Sequence, residues 1–335
     1  CDLCAAPGGK STALVEAVGD SGFVLANEPI RSRIPALLFN LARTGSDRFA
    51  VSSLDPQQLA DRVGGAFDVV VVDAPCSGQA LLSRGRQSAS AMSEKQIAHS
   101  ASRQNRILDA AVRLLREGGR LIYSTCTFAE AENEAQVRRL VDLGRVEALP
   151  VDRLDRYASI EPGCYRLWPH LHSCAGSFAA SLRGFAGDPS SVRSQRRRPG
   201  KPPTDLTEWF DGLDDSTRLR TLDSVIVGWP SDVPEWVDEL AIAGPELAHR
   251  TGQTWKPSHA AALRRIGRGR SRHVHCVDGD CAKRLVAGET IPCPRRGWQV
   301  IQWAGRPLGW VKANGTIGKN HLPTAARISG EILGA

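Results

Sequence analysis

A chain of 335 residues, 41% hydrophobic and 24% charged, is long enough to bury a sizeable core and suggests roughly two domains. No apolar run approaches the ~20 residues of a helical membrane span, so an integral helical membrane protein is excluded and a cytoplasmic protein expected. The net charge of +7 favours an anionic partner, nucleic acid ahead of a membrane surface, and nine irregularly spaced cysteines in so long a chain speak against a secreted disulfide framework.

Cys1 to Leu3 reads as the last stub of a strand, followed by a turn at Gly8-Gly9 and a helix from Ser11 to Val18. Phe23 to Ala26 is a short strand ending near Glu28, and Ile34 to Arg43 is helical. Phe49 to Ser52 reads as a third strand with Asp55 just beyond it. Val69 to Val72 is a continuous β-branched run, which predicts a central parallel strand buried on both faces. From Arg103 to Arg116, Ile107, Leu108, Ala111, Leu114 and Leu115 form a helical apolar stripe, and Leu121 to Ser124 is the next strand. Such alternation predicts an α/β domain built on a doubly wound sheet, with ligands outside the carboxyl ends of its strands.

Between Gly187 and Pro203 the pattern breaks. Prolines at 189, 199, 202 and 203 and the run Arg196-Arg197-Arg198 read as an exposed tether, which either touches phosphates or is merely solvated. Beyond it come tryptophans at 209, 229, 236, 255, 298, 303 and 310, most of them expected in a core. Gly297 to Trp303 alternates, Gly305-Arg306-Pro307 turns, and Leu308 to Val311 returns, which makes a hairpin in a smaller mixed or β-rich domain. The resulting division is 1–185, a linker at 186–204, and 205–335.

Two thiols carry most of the chemical information. Val69-Val70-Val71-Val72-Asp73-Ala74-Pro75-Cys76 and Gly119-Arg120-Leu121-Ile122-Tyr123-Ser124-Thr125-Cys126 each end an apolar run in a cysteine, which suggests a nucleophile and a helper facing one crevice. A glycine turn between strand and helix lets a ligand approach backbone amides. Glu28, at the end of the second strand, suits a ribose diol, and Asp55 and Asp73 follow at the next two strand ends. Asp55 before Pro56 equally suits helix capping. Cys276, Cys281 and Cys293 near His273 and His275 invite zinc, but Cys-x4-Cys followed by a lone Cys-Pro matches the paired knuckles poorly. Ordinary packed or surface thiols are preferred there, and no metal is expected.

The run Asp2-Leu3-Cys4-Ala5-Ala6-Pro7-Gly8-Gly9-Lys10, then Asp73-Ala74-Pro75-Cys76-Ser77-Gly78, then Tyr123-Ser124-Thr125-Cys126-Thr127 with Glu132-Asn133-Glu134, resembles the RNA cytosine-5 methyltransferase family. That family includes bacterial ribosomal-RNA enzymes and the Nop2/Sun proteins. Arg166-Leu167-Trp168-Pro169-His170 and Gly176-Ser177-Phe178 extend the resemblance to about residue 183. Gly288 to Ile291, Gly297-Trp298, Pro307 to Trp310 and Lys319-Asn320-His321 resemble the PUA-like extension of the ribosomal-RNA branch. Two positions depart from the family pattern. Ser-Gly-x-Gly becomes Ser77-Gly78-Gln79-Ala80, and Gly-Phe-Phe becomes Gly176-Ser177-Phe178. The chain also opens inside the first motif, so a preceding segment is expected.

The resemblance implies a Rossmann-like methyltransferase sheet with a PUA-like C-terminal region, and S-adenosylmethionine as methyl donor. It implies Cys126 as the nucleophile at C6 of cytosine, Cys76 as the helper in product release and Asp73 on the cytosine edge. Cys4, Ala5, Ala6, Pro7, Gly8, Gly9, Lys10, Glu28, Asp55 and Asp73 are the implied cofactor residues. The implied partner is RNA, small-subunit ribosomal RNA ahead of transfer RNA, bound by a monomer away from any membrane. The competing readings are a catalytically silent RNA-binding or ribosome-assembly factor and a dinucleotide-dependent oxidoreductase. The latter's Gly-x-Gly-x-x-Gly is absent, since Ala6-Pro7-Gly8-Gly9-Lys10 does not fit it.

Overall fold

In the computed structural model of the chain, residues 1–185, 204–214, 216–264 and 270–328 are described. The tether residues 187–203, with the arginines at 196–198, lie outside them. The first 185 residues run α1 (Gly9–Val18), β1 (Val24–Asn27), α2 (Ile34–Ala42), β2 (Phe49–Ser52), α3 (Pro56–Val63), β3 (Phe67–Asp73), α4 (Glu94–Leu114), β4 (Leu115–Thr125), α5 (Glu134–Asp142), β5 (Val146–Ala148), β6 (Cys164–Leu167) and β7 (Ser177–Gly184). Two compact units alternate along this chain. One holds Cys1–Ala6, Leu25–Ser32 and residues 52–185; the other holds Pro7–Val24, Arg33–Val51 and the described residues from 204 on.

In the first unit the opening residues act as one rung of a sheet. Asp2 bridges Ala26 on one side and Val71 on the other, both in parallel. β3 then pairs parallel with β4, and β4 pairs antiparallel with β7, which is flanked by β5 and β6. The β-branched run forms β3 because Val70, Val71 and Val72 are covered on both faces. Val69 departs from that expectation at 36% exposure. The β3–β4 register shifts between Phe67 and Val69, and this irregularity turns Asp68 toward an ion pair with Arg116 and leaves Val69 at the surface.

α4 starts well before the apolar stripe indicates, at Glu94 rather than Arg103. The Ser93 side chain caps it by accepting from Gln96 N–H, and its first turns bury polar Ser100 and Gln104 rather than aliphatic residues. β4 likewise reaches back to Leu115, whose pairing with Phe67 precedes the apolar core of the strand. β3 and β4 run parallel, so their carboxyl ends, which carry Asp73 and Thr125, lie on one edge.

In the second unit, strands Thr217–Leu222, Val225–Pro230, Glu246–Thr251 and Thr254–Pro257 form an antiparallel sheet. A five-stranded sheet follows in the order Val274–Cys276, Arg296–Trp303, Arg306–Asn314, Ile317–Asn320, Ile291–Pro292. Trp209, Phe210, Ile226, Leu247, Val300 and Trp310 share one core between these sheets. Trp229 and Trp310 are fully buried and donate their indole N–H groups to Phe49 O and Ser258 O, each at 2.7 Å. Trp303 is exposed instead. The expected hairpin is present, but its turn is Ala304-Gly305, both at positive φ, while Arg306 and Pro307 already belong to the returning strand. Among the described residues no helix is long and apolar enough to cross a membrane.

Candidate active site

The two cysteine loops meet. Cys76 lies three residues beyond the end of β3, Cys126 directly follows β4, and their sulfurs are 3.2 Å apart, within hydrogen-bond reach and with no disulfide between them. The shared proton separates the two thiols electrostatically. The hydrogen bond from Cys76 holds the Cys126 thiol below the ordinary cysteine range, against the opposing effect of burial. The same bond, reinforced by burial, pushes Cys76 well above that range. Of the two thiols, Cys126 is therefore the one more readily deprotonated.

Asp73 ends β3 beside them. It is exposed, and one of its oxygens accepts from Ser124 Oγ at 2.8 Å. This places a carboxylate, two thiols and a hydroxyl on neighbouring strand ends.

A buried carboxylate not singled out from the sequence fixes this arrangement. Glu132, with no exposed surface, accepts from Ser77 N–H at 2.9 Å and Gln104 Nε2 at 3.0 Å, and from the Thr127 hydroxyl at 3.4 Å. Gln104 also donates to Pro75 O. Asn133 donates to Thr127 O and accepts from Thr125 Oγ1, so it brackets Cys126 on both sides. Ser77 and Thr127 share a hydroxyl hydrogen bond at 2.8 Å. The motif Glu132-Asn133 is the only sequence signal for this network; Gln104, 28 residues before Glu132, carries none.

The first departure from the family pattern has a local explanation. Ala80 sits in a helical turn, is buried, and donates its N–H to Cys126 O at 3.0 Å, a geometry that does not call for glycine. Gln79 beside it links the loops by accepting from Phe128 N–H and donating to Ala91 O. Gly176 has φ +97, and a Cβ there would stand 2.5 Å from the Phe128 ring. Phe128 in turn stacks on Trp168 at 5.5 Å. Arg166 donates to Phe128 O and pairs with Glu134. Burial works against the Glu134 carboxylate, yet hydrogen bonds from Arg166 and Ser159 hold it below its ordinary range.

The remaining expected residues divide between the units. In the first unit, Glu28 is 1% exposed and accepts from Ala6 N–H at 3.2 Å and Ile30 N–H at 3.0 Å, which ties the Cys4-Ala5-Ala6 turn to the end of β1. Asp55 caps α3 by accepting from Gln57 N–H with one oxygen, so the capping alternative is realised, while its other oxygen lies 3.8 Å from Arg106. Burial pushes the Cys4 thiol up to about 12, aided by Asp2 and Glu28, so Cys4 is no nucleophile at neutral pH. In the second unit, Pro7, Gly8, Gly9 and Lys10 lead into α1, and Asn40 donates to Pro7 O at 2.8 Å. The acceptor set of the first unit fits S-adenosylmethionine. Glu28, Asp55 and Asp73 are carboxylates, which accept hydrogen bonds of the kind its hydroxyl and amino groups donate.

The three C-terminal cysteines do not converge. Cys293 is buried in an aliphatic cluster with Leu285, Ile291 and Ile301, whereas Cys276 is exposed. Among the described residues no group of three His, Cys, Asp or Glu could hold a metal ion.

Comparison with known proteins bears on the whole chain. The sequence model of the 16S rRNA methyltransferase RsmB/F family matches residues 1–183, and that of the RsmF PUA domain matches residues 272–328. The chain is 34% identical to ribosomal RNA small subunit methyltransferase F of Salmonella typhi, over 99% of this chain and 74% of that protein. The protein of the same name from Erwinia tasmaniensis is 28% identical, again over 99% and 74%. Among solved structures, that of PH0851 is similar with a TM-score of 0.51 and 30% identity, covering 54% of this chain. The match spans 41% of the PH0851 chain.

Proposed function

Because this chain belongs to the 16S rRNA methyltransferase RsmB/F family, we propose that it methylates C5 of a cytosine in small-subunit ribosomal RNA through a covalent adduct of Cys126. The carrying observation is the 3.2 Å contact between Cys76 and Cys126 at adjacent strand ends, beside Asp73.

Cytosine C5 is too weak a nucleophile to take a methyl group directly. Addition of the Cys126 thiolate to C6 moves electron density onto C5 and N3, and splits one hard step into easier ones. S-adenosylmethionine supplies an electrophilic methyl group. Asp73 holds the cytosine edge and balances charge at N3 as the adduct forms. The Cys76 thiol then changes character. Its proton is held first of all by the hydrogen bond to Cys126, and that cause disappears once the Cys126 sulfur is bonded to carbon. Cys76 can then release its proton to solvent, and the resulting thiolate takes H5 from C5. The C5–H electrons rebuild the ring double bond, and Cys126 leaves as thiolate. Glu28 and the Cys4-Ala5-Ala6 turn hold the ribose side of the cofactor, and Asp55 the adenine side.

The test is bisulfite sequencing of small-subunit ribosomal RNA from cells lacking the gene. Reintroduced wild-type protein should restore one protected cytosine, and Cys126→Ala should not. A restored methyl group on another base, or on a cytosine nitrogen, would overturn the reading.

A further inference from the structure

The two sulfurs at the strand ends carry a chemistry that methyl transfer does not use. Cys76 and Cys126, 50 residues apart in sequence, make the one thiol–thiol hydrogen bond among the described residues, and all nine cysteines are free. A disulfide needs a separation of about 2.05 Å, so roughly 1.2 Å of approach turns the 3.2 Å contact into a bond. Both residues lie beyond the last register pairs of their strands, Asp73 with Ser124 and Thr125 with Phe178, so the approach breaks no ladder pairing. Their neighbours are fixed instead. Glu132 holds Ser77 N–H, Gln104 holds Pro75 O, and Asn133 holds Thr125 and Thr127. The folded chain has thereby already met the loop-closure entropy that a bond between distant cysteines otherwise costs.

Access and reactivity favour this pair over the other thiols of the first 185 residues. Both sulfurs belong to half-buried residues, which a molecule as small as a peroxide reaches. Cys126 is the more readily deprotonated of the two and reacts first, and Cys76 stands within reach of the product. Burial pushes Cys4 and Cys164 each up to about 12, so neither offers a competing thiolate.

We propose that Cys76 and Cys126 form a reversible oxidation site, which hydrogen peroxide closes to a disulfide. The Cys126 thiolate attacks one peroxide oxygen. The O–O bond breaks, Cys126 becomes a sulfenic acid, and the departing hydroxide takes back the proton that Cys126 gave up. The Cys76 sulfur then attacks the Cys126 sulfur. The S–O bond breaks, and the second hydroxide leaves as water with the Cys76 proton. Two thiols are oxidised to one disulfide, and one peroxide is reduced to two waters. The closed pair has no nucleophile, so methyl transfer stops; that consequence rests on the mechanism proposed above, whereas the disulfide itself does not. Closure also protects the site. A sulfenic acid without a resolving thiol proceeds to sulfinic acid, which ordinary thiols do not reduce, so Cys76 keeps the oxidation recoverable.

In the test, the full chain is treated with hydrogen peroxide, its remaining thiols are blocked with N-ethylmaleimide, and its peptides are mapped by mass. The wild type should lose two hydrogens through a single linkage, Cys76 to Cys126. Dithiothreitol should then restore both thiols together with methyl transfer to small-subunit ribosomal RNA. In Cys76→Ser, Cys126 should instead gain two oxygens that dithiothreitol does not remove. The same dose on the chain unfolded in urea should scatter linkages among its nine cysteines, so a single linkage reports the folded pair. A wild-type Cys126 sulfinic acid beside a free Cys76 overturns the proposal. So does linkage of either thiol to another cysteine, or oxidation of the exposed Cys276 while both stay reduced. A closed disulfide that leaves methyl transfer at its reduced-protein rate would instead count against covalent catalysis by Cys126 alone.

Discussion

At the scale of single residues, the proposed mechanism rests on two sulfurs close enough to share one proton. Cys76 and Cys126 lie 3.2 Å apart, and the hydrogen bond between their sulfurs holds the Cys126 thiol below the ordinary range. Removal of Cys76 removes the cause. In Cys76→Ala, the pH midpoint for alkylation of Cys126 by iodoacetamide should therefore rise, and alkylation at pH 7 should slow. An unchanged midpoint would mean that Cys76 does not tune its neighbour. Glu28 has a second duty beyond the expected ribose contact, since it already holds the Ala6 and Ile30 amides. Glu28→Ala should weaken S-adenosylmethionine by at least about tenfold in calorimetry, as expected when a charge-assisted hydrogen bond is removed. Unchanged affinity would remove Glu28 from the site. Both cysteines, Asp73 and Glu28 are legible in the sequence because each ends an apolar run. Asp55 is ambiguous there for a physical reason: one carboxylate before a proline can cap a helix and still face a ligand.

At the scale of elements, three pieces distant in sequence are joined by one buried carboxylate. Glu132 receives the loop after β3 through Ser77, α4 through Gln104, and the loop after β4 through Thr127. Its removal leaves the Ser77 N–H unpaired in the interior, at roughly 1–3 kcal/mol, and Gln104 Nε2 with Pro75 O alone. Glu132→Ala should lower the urea midpoint and reduce kcat even where the protein is folded, because the thiols lose their fixed spacing. Glu132→Gln retains an acceptor and should recover part of both; equal loss in the two variants would contradict the network. Such couplings are invisible to periodicity, which reads apolar stripes. The same blindness explains the misplaced start of α4, whose first turns bury Ser100 and Gln104, and the exposure of Val69, which a shifted register turns outward.

At the scale of the whole molecule, the βα alternation of the first 185 residues was readable because buried parallel strands need continuous apolar runs. The antiparallel sheet from Thr217 to Pro257 was not, since short strands such as Thr217–Leu222 are mostly half-buried and carry no continuous apolar face. Just beyond that sheet, a half-buried histidine, His259, couples stability to acid. Burial lowers His259 from 6.5 to about 4, so its contribution is complete above pH 6.5 and is lost as pH falls toward 4. Up to roughly 3 kcal/mol is involved. His259→Gln should flatten the fall in melting temperature between pH 7 and pH 4.5, and a wild-type-like fall would acquit this residue. Covalent attack by Cys126 with release by Cys76 is tested most directly on denaturing gels. Each cysteine variant is incubated with small-subunit ribosomal RNA from cells lacking the gene, together with S-adenosylmethionine. A slow RNA–protein band should form with Cys76→Ala and not with Cys126→Ala; the reverse pattern would exchange the two roles, and methylation by both variants without any band would contradict covalent catalysis.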